Sequence, residues 1–361
     1  MMVVVIRMFH IIMYDINIMT MNKFIAFLLT LSSSLFCIAQ QYKVDITKAI
    51  VKEISISDVL YDIKTVNVII PDTVVLDNPF LYLTGDKKYL VSTQFSPESY
   101  LFDIQGKFIQ EICGNHIRWP CKHFDMKRNI LYRDNFKYWL GIDVQTNKIV
   151  KQITKPKQFK DQIANFMQIS EDKYIGYVNN QSGNCTTLFV IFDSRGNILY
   201  REPNNRTYVK AHIDSPYFLG SFYEYESRYF CLEPFSGTTV YEIGDNILYP
   251  HIYLYVGDKT PIYEFQGLNR DNLNHKDEWK LFTVRETPNR IYFSYITPKG
   301  SRWGFYSKKE DQAYIAPASD ESRESLHFGE KNFTPALLQD QYSVRSVVKG
   351  DTLKVLIGAL K

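Results

Sequence analysis

The amino-acid sequence predicts an all-β protein, a single β-propeller of six four-stranded blades whose ring is closed by strands from both ends of the chain. Three observations predict it. A phrase of apolar residue, acid and tight turn recurs as Phe102-Asp103-Ile104-Gln105-Gly106-Lys107-Phe108, Ile142-Asp143-Val144-Gln145-Thr146-Asn147-Lys148-Ile149 and Phe192-Asp193-Ser194-Arg195-Gly196-Asn197-Ile198. In each, the Asp carboxylate is placed to accept from the turn's own amides, and in the D-x-x-G copies Gly tolerates the positive φ that closes a hairpin. Recurrence every ~40–50 residues is the spacing of stacked propeller blades. Around these turns β-branched and aromatic residues alternate with period 2, and aromatics make up 15% of the chain, as sheet packing requires. Strand-like sequence left over at both ends supplies one last blade, and closing a ring protects its sheet edges.

Taken in order, Tyr89–Thr93 leads through Ser96-Pro97-Glu98 into Tyr100–Phe102 and the first Asp turn. The second unit runs Ile130-Leu131-Tyr132, a polar break at Arg133-Asp134-Asn135, Tyr138-Trp139-Leu140 and the turn at Asp143. The third has Lys173–Tyr177, a long turn over Asn179–Asn184, Leu188-Phe189-Val190 and Asp193. Looser fourth and fifth units follow, with Tyr229-Phe230-Cys231, Thr238-Thr239-Val240 and Gly244-Asp245-Asn246, then Arg290–Ser294, Pro298-Lys299-Gly300 and Trp303-Gly304-Phe305. The closing blade is read from Tyr342-Ser343-Val344, Leu353–Ile357 and Val66–Ile70. Wider spacing after Asp193 leaves a seventh blade open within residues 250–290. Helical spacing of Phe159, Ile163, Phe166 and Met167 predicts a short helix over Lys157–Met167, with similar stretches at Asn269–Leu281 and Phe333–Asp340.

Residues 1–39 read as a signal peptide with an extended start, the true start being Met21. Asn22-Lys23 is a short positive region, Phe24–Phe36 an apolar one, and Cys37-Ile38-Ala39 a small-residue cleavage site before Gln40. Alternatively, Ser34-Leu35-Phe36-Cys37 has the outline of a lipid-attachment site at Cys37, although bulky Phe36 is out of place there. The mature chain is then one propeller domain over residues 40–361, periplasmic or at the cell surface. Losing Arg7, Lys23 and Asp15 takes its formal charge from +3 to +2. Lys and Arg are interspersed with acids rather than gathered, which excludes a nucleic-acid binder. After Gln40 no apolar run approaches the roughly 20 residues of a spanning helix. A monomer is expected.

The run Ile54-Ser55-Ile56-Ser57-Asp58-Val59-Leu60, then Val66-Asn67-Val68-Ile69-Ile70-Pro71-Asp72 and Leu101–Ile109, resembles exported six-bladed β-propeller proteins grouped as domains of unknown function. NHL-repeat and TolB-like propellers share the blade pattern. The resemblance implies no catalytic residues. Where that family has a Gly-rich stretch after its first hairpin, this chain has Cys113-Gly114-Asn115-His116-Ile117-Arg118-Trp119-Pro120-Cys121.

That segment with His123 is the densest group of reactive side chains. Cys113 and Cys121 are close enough in sequence for a disulfide, an exported protein permits one, and buried free thiols are the ordinary alternative. C-x2-H-x4-C-x-H offers zinc-type ligands, but its spacing is not that of a common finger, so no metal or other cofactor is assigned. His116, Arg118, Trp119 and His123 are the binding candidates, a cation and a flat apolar face suiting a sugar or an anion. Ser346-Val347-Val348-Lys349 fits S-x-x-K without its companion motifs, and G-x-S-x-G, H-E-x-x-H and phosphate loops are missing. Asp134, Glu224, Glu226 and Asp277 are the acids a glycosidase pair would draw on, and solvated surface acids are the simpler reading. In Phe222-Tyr223-Glu224-Tyr225-Glu226 the alternation puts both tyrosines on one face and both acids on the other. The expectation is therefore a non-enzymatic scaffold that binds an envelope protein or glycan. A propeller lyase or glycoside hydrolase acting on a polysaccharide is the alternative.

Overall fold

The computed structural model describes residues 42–71, 79–93, 98–112, 121–160, 162–180, 182–208, 221–233, 237–261, 278–317, 337–339, 341–349 and 352–361. The leading strands are β1 (Tyr42–Asp45), β2 (Ile50–Val51) and β3 (Leu60–Ile69), with one helical turn, α1 (Ile56–Val59), before β3. Blade I is β4 (Pro79–Leu83), β5 (Tyr89–Thr93), β6 (Ser99–Phe102) and β7 (Phe108–Ile112); blade II is β8 (Cys121–Asp125), β9 (Ile130–Asn135), β10 (Tyr138–Asp143) and β11 (Lys148–Thr154). Blade III is β12 (Ile163–Gln168), β13 (Lys173–Val178), β14 (Thr187–Asp193) and β15 (Ile198–Pro203); blade IV is β16 (Ser221–Tyr225), β17 (Arg228–Leu232), β18 (Thr239–Ile243) and β19 (Leu248–Tyr255). Blade V is β20 (Lys280–Glu286), β21 (Arg290–Thr297), β22 (Gly300–Ser307) and β23 (Gln312–Ile315). Blade VI is β24 (Leu337–Gln339), β25 (Tyr342–Lys349) and β26 (Thr352–Leu360), completed by β3. Among the described residues the sheets number six, and no seventh is present.

Closure uses the strands expected of it. β3 pairs antiparallel with β26 from Leu60↔Leu360 to Ile69↔Thr352. Two further strands, unforeseen from the sequence, lie outside the ring: β1 pairs parallel with β19, and β2 parallel with β23. A leading segment thus borders blades IV and V before it enters blade VI. Each sheet is buried on both faces, so β14 is buried along its whole length and its sequence reads as continuous apolar residues rather than as alternation. Six apolar clusters fill the six clefts between neighbouring blades. The cleft between IV and V also takes Val44 and Ile46 of the leading segment, and that between II and III stacks Tyr132, Trp139, Phe166, Tyr174 and Phe192.

The recurring Asp turns join the third and fourth strands of blades I to III. Asp103 Oδ1 accepts from the amides of Gln105 and Lys107 at 2.9 and 2.8 Å, and Asp143 Oδ1 from those of Gln145 and Thr146 at 3.0 and 2.7 Å. Asp193 Oδ1 accepts from Arg195 and Asn197, both at 2.9 Å. Gly106 and Gly196 adopt φ of +83°, and Asn147 stands at +55° where a Gly is missing. Each turn also sits on the outer strand of the preceding blade. Ile69 N donates to Gly106 O, Asn147 Nδ2 to Glu111 O, and Thr154 N to Ser194 O. The turns are hairpin formers and inter-blade contacts at once. Asp193→Ala removes the buried acceptor of two turn amides and is expected to cost about 1–2 kcal/mol in urea unfolding. An unchanged midpoint would show that the carboxylate is dispensable.

The helix read over Lys157–Met167 is corrected. Lys157–Phe159 forms one 3-10 turn, and Ile163–Gln168 is β12. Phe159, Ile163 and Phe166 enter the same inter-blade cluster from two different elements, which imitates helical spacing. In the other two stretches, Lys280 and Leu281 begin β20, and Leu337–Gln339 is β24. The polar break read at Arg133–Asn135 is the end of β9, and the turn falls at Phe136-Lys137.

Candidate functional site

In an up-and-down blade the first strand begins, the second ends, the third begins and the fourth ends on one side, here termed the connection face. The strand ends that bound the links between blades lie on it, and several of these links are long in sequence: 204–220, 256–279 and 316–336. The opposite turns between first and second strands are short, such as 84–88, 126–129 and 287–289. The segment singled out in the sequence links Ile112, ending β7, to Cys121, beginning β8. Arg133, 1% exposed, ties these ends together: it lies opposite Cys121 in the β8–β9 ladder and donates from Nη2 to Ile112 O at 3.0 Å and Ser99 Oγ at 3.2 Å. Cys113, His116, Arg118 and Trp119 lie outside the described residues, as does Asp277. His123 is on β8, stacked on Tyr132 with centroids 6.1 Å apart and tilted against Phe166 at 5.7 Å. Burial pushes its pKa down, with Asp125 acting the other way.

Next to these ends the β9–β10 hairpin carries Phe136 at its tip, 64% exposed and at φ +43°. A bulky side chain in the left-handed region costs about 1–2 kcal/mol, since Cβ crowds the following carbonyl, and such outliers gather at functional sites. Lys137 O accepts from Lys155 N at 3.0 Å, which binds the hairpin to the link into blade III. Lys155 Nζ, in turn, is held by Asp134 at 2.5 Å and lies over the Trp139 ring. Beyond it, Arg201 of β15 donates to Gln158 and lies over the Phe159 ring. Sequence reasoning missed Phe136, although a Phe-Lys pair between two strand-like runs was the available signal.

The profile of the DUF5128 family, described as 6-bladed β-propeller, matches residues 38–345. The chain belongs to this family. A candidate exported protein of Bacteroides fragilis is similar in structure, with a TM-score of 0.65 and 15% identity over 89% of this chain and 99% of that one. A DUF4221 family member from Bacteroides vulgatus follows at 0.53 and 11%, covering 87% of this chain and 99% of its own. At these identities the likeness concerns the fold. No curated protein matches the sequence.

Among the described residues of this DUF5128 propeller, a buried titratable group lies in the cleft between blades IV and V. His251 Nε2 meets Glu286 Oε2 at 2.7 Å, and Lys308 Nζ donates to Glu286 Oε1 at 2.6 Å and Thr287 O at 2.8 Å. Both His251 and Glu286 are almost wholly buried, and Phe230 and Tyr42 close over the imidazole with centroids 4.6 and 5.9 Å away. Burial opposes ionisation of Glu286, but the hydrogen bonds from His251 and Lys308 outweigh it and hold the carboxyl below its ordinary range. Tyr42 is pushed up by burial and by the charges of Glu286 and Glu226.

The acids weighed from the sequence are dispersed. Asp134 serves Lys155, Glu224 pairs with Lys127 at 2.8 Å, and Glu226 accepts from Tyr225 OH. Tyr223 and Tyr225 are buried on one face of β16, as the alternation predicts. Among the described residues no three of His, Cys, Asp and Glu are grouped to hold a metal, and Cys185 and Cys231 are free thiols. No described helix is long and apolar enough to cross a membrane.

Proposed function

We propose that this chain is an exported, non-enzymatic propeller that binds a protein or glycan of the cell envelope through its connection face. The asymmetry of the ring carries this reading. On one side the strands turn back tightly, whereas the longer links, with their variable chemistry, collect on the other. His116, Arg118 and Trp119 belong to the link into blade II and His123 to β8, which follows it; all four are proposed as part of this surface. A lyase or hydrolase would need titratable groups converging where a polymer reaches them. His251 and Glu286 do converge, but they are sealed between blades by Phe230 and Tyr42 and serve the packing there.

Two measurements test the reading. Expressed in a Gram-negative host from Met21, the chain is expected in the envelope fraction with Gln40 as its first residue. Retention in the cytoplasm with residues 21–39 intact would refute export. Pull-down from an envelope extract is expected to retain a partner with the intact protein and to lose it on substitution of Arg118 and Trp119 together. Equal retention by that variant would remove these residues from the surface.

A further inference from the structure

We propose that the connection-face surface of Phe136, Lys137, Lys157, Lys160 and Arg201 binds an acidic polysaccharide, the Phe136 ring lying on a sugar face and the cations on carboxylate or sulfate groups. The inference rests on the partner-binding role of the connection face and names the partner's chemistry.

Four observations carry it. Phe136 combines exposure with a backbone conformation that a residue lacking Cβ would adopt at no cost. Cations surround it on linked elements. Lys137 shares the hairpin tip, Lys157 and Lys160 belong to the segment that Lys155 N fastens to Lys137 O, and Arg201 is bonded to Gln158 of the same segment. Lys137, Lys157 and Arg201 are exposed and Lys160 is half-buried.

The neighbouring described acids are already engaged. Asp134 holds Lys155, and Glu202 accepts from Tyr200 OH. Lys137, Lys155, Lys157, Lys160 and Arg201 outnumber these two acids, so the local charge is positive among the described residues and attracts an anion. Finally, the cations are long and mobile arms spread over a hairpin, a 3-10 turn and an outer strand. A polymer with repeated charges can satisfy them in several registers, and a flat hydrocarbon ring face complements an aromatic that stands out from the surface rather than lining a pocket.

The test is affinity electrophoresis through gels containing polygalacturonate, chondroitin sulfate, dextran or poly-glutamate. It uses the mature wild-type chain, Phe136→Gly and the double variant Lys137→Glu/Lys157→Glu. The wild type is expected to be retarded by the two acidic polysaccharides, more weakly by poly-glutamate, and not by dextran. Retardation should fall as NaCl rises from about 0.05 to about 0.5 M. Each variant should bind at least about tenfold more weakly. Phe136→Gly should melt no lower than the wild type, which separates lost binding from lost folding. Unaltered binding by both variants, or no retardation of the wild type by either polyanion, would overturn the proposal. So would poly-glutamate binding as tight as that of polygalacturonate, since it would assign the patch to acidic protein. Envelope-partner capture by an unaltered Phe136→Gly would leave the scaffold reading standing, whereas loss of every partner from the wild type would remove both.

Discussion

Replacing Glu286 by alanine lowers the unfolding free energy by about 3–5 kcal/mol, the cost of leaving a buried ion without its partner. The carboxylate is 1% exposed and is shared by His251 and Lys308, so its removal strands an ammonium and an imidazole in the cleft between blades IV and V. Glu286→Gln keeps the shape and loses the charge. Pairing it with Lys308→Met removes the stranded ammonium as well and should recover part of the loss, because an apolar replacement of an ion pair is often neutral. Urea unfolding of the three variants reads this, and a loss below about 1 kcal/mol for the alanine variant would mean that water reaches the cleft. The pH dependence has a definite sign. The folded carboxyl lies below its ordinary value of 4.5, so its stabilising share is complete above that value and is lost as pH falls through the folded pKa. The gap between wild type and Glu286→Gln should therefore close as pH falls through the folded pKa of the carboxyl.

Gly106→Ala is the second large effect. A Cβ there would lie 2.4 Å from Asn67 O and 3.0 Å from Val68 Cα, in a residue already at φ +83°. Neither neighbour can retreat, because β3 is paired along its length to β26. Overpacking costs about 1–3 kcal/mol and the left-handed backbone about 1–2, for a total near 3 kcal/mol. Gly300 is the control: its φ is +114°, yet nothing lies within 4 Å of its Cβ position. Gly300→Ala should show the conformational share alone. Equal losses for the two in urea unfolding would mean that the contact between blade I and blade VI yields freely.

What the sequence discloses is what neighbouring residues decide. Asp103, Asp143 and Asp193 bond amides two to four residues away, so their turns are legible locally. The closing blade is legible because Val66–Ile70 and Leu353–Ile357 are strand-like runs left without partners. β1 and β2 escape such reading, since their partners begin at Ile252 and Tyr314 and short edge strands carry little pattern. The helix predicted at Lys157–Met167 fails for a related reason: a strand buried on both faces loses its alternation, and a preceding 3-10 turn fills in the missing period. Among the residues proposed for the binding surface, Arg118 and Trp119 stand out by residue type. Phe136 does not, because its distinction is a backbone angle. His251 and Glu286 lie on different blades and share no motif.

The pairing of β3 with β26 also sets an order of events. A chain delivered N-terminus first offers β1, β2 and β3 long before β19, β23 and β26 exist to receive them. Contacts so distant in sequence form slowly, since the intervening loop must close first. Blades I to III can assemble from adjacent segments while the leading strands still wait. The complete ring therefore appears only after β26 has emerged to receive β3.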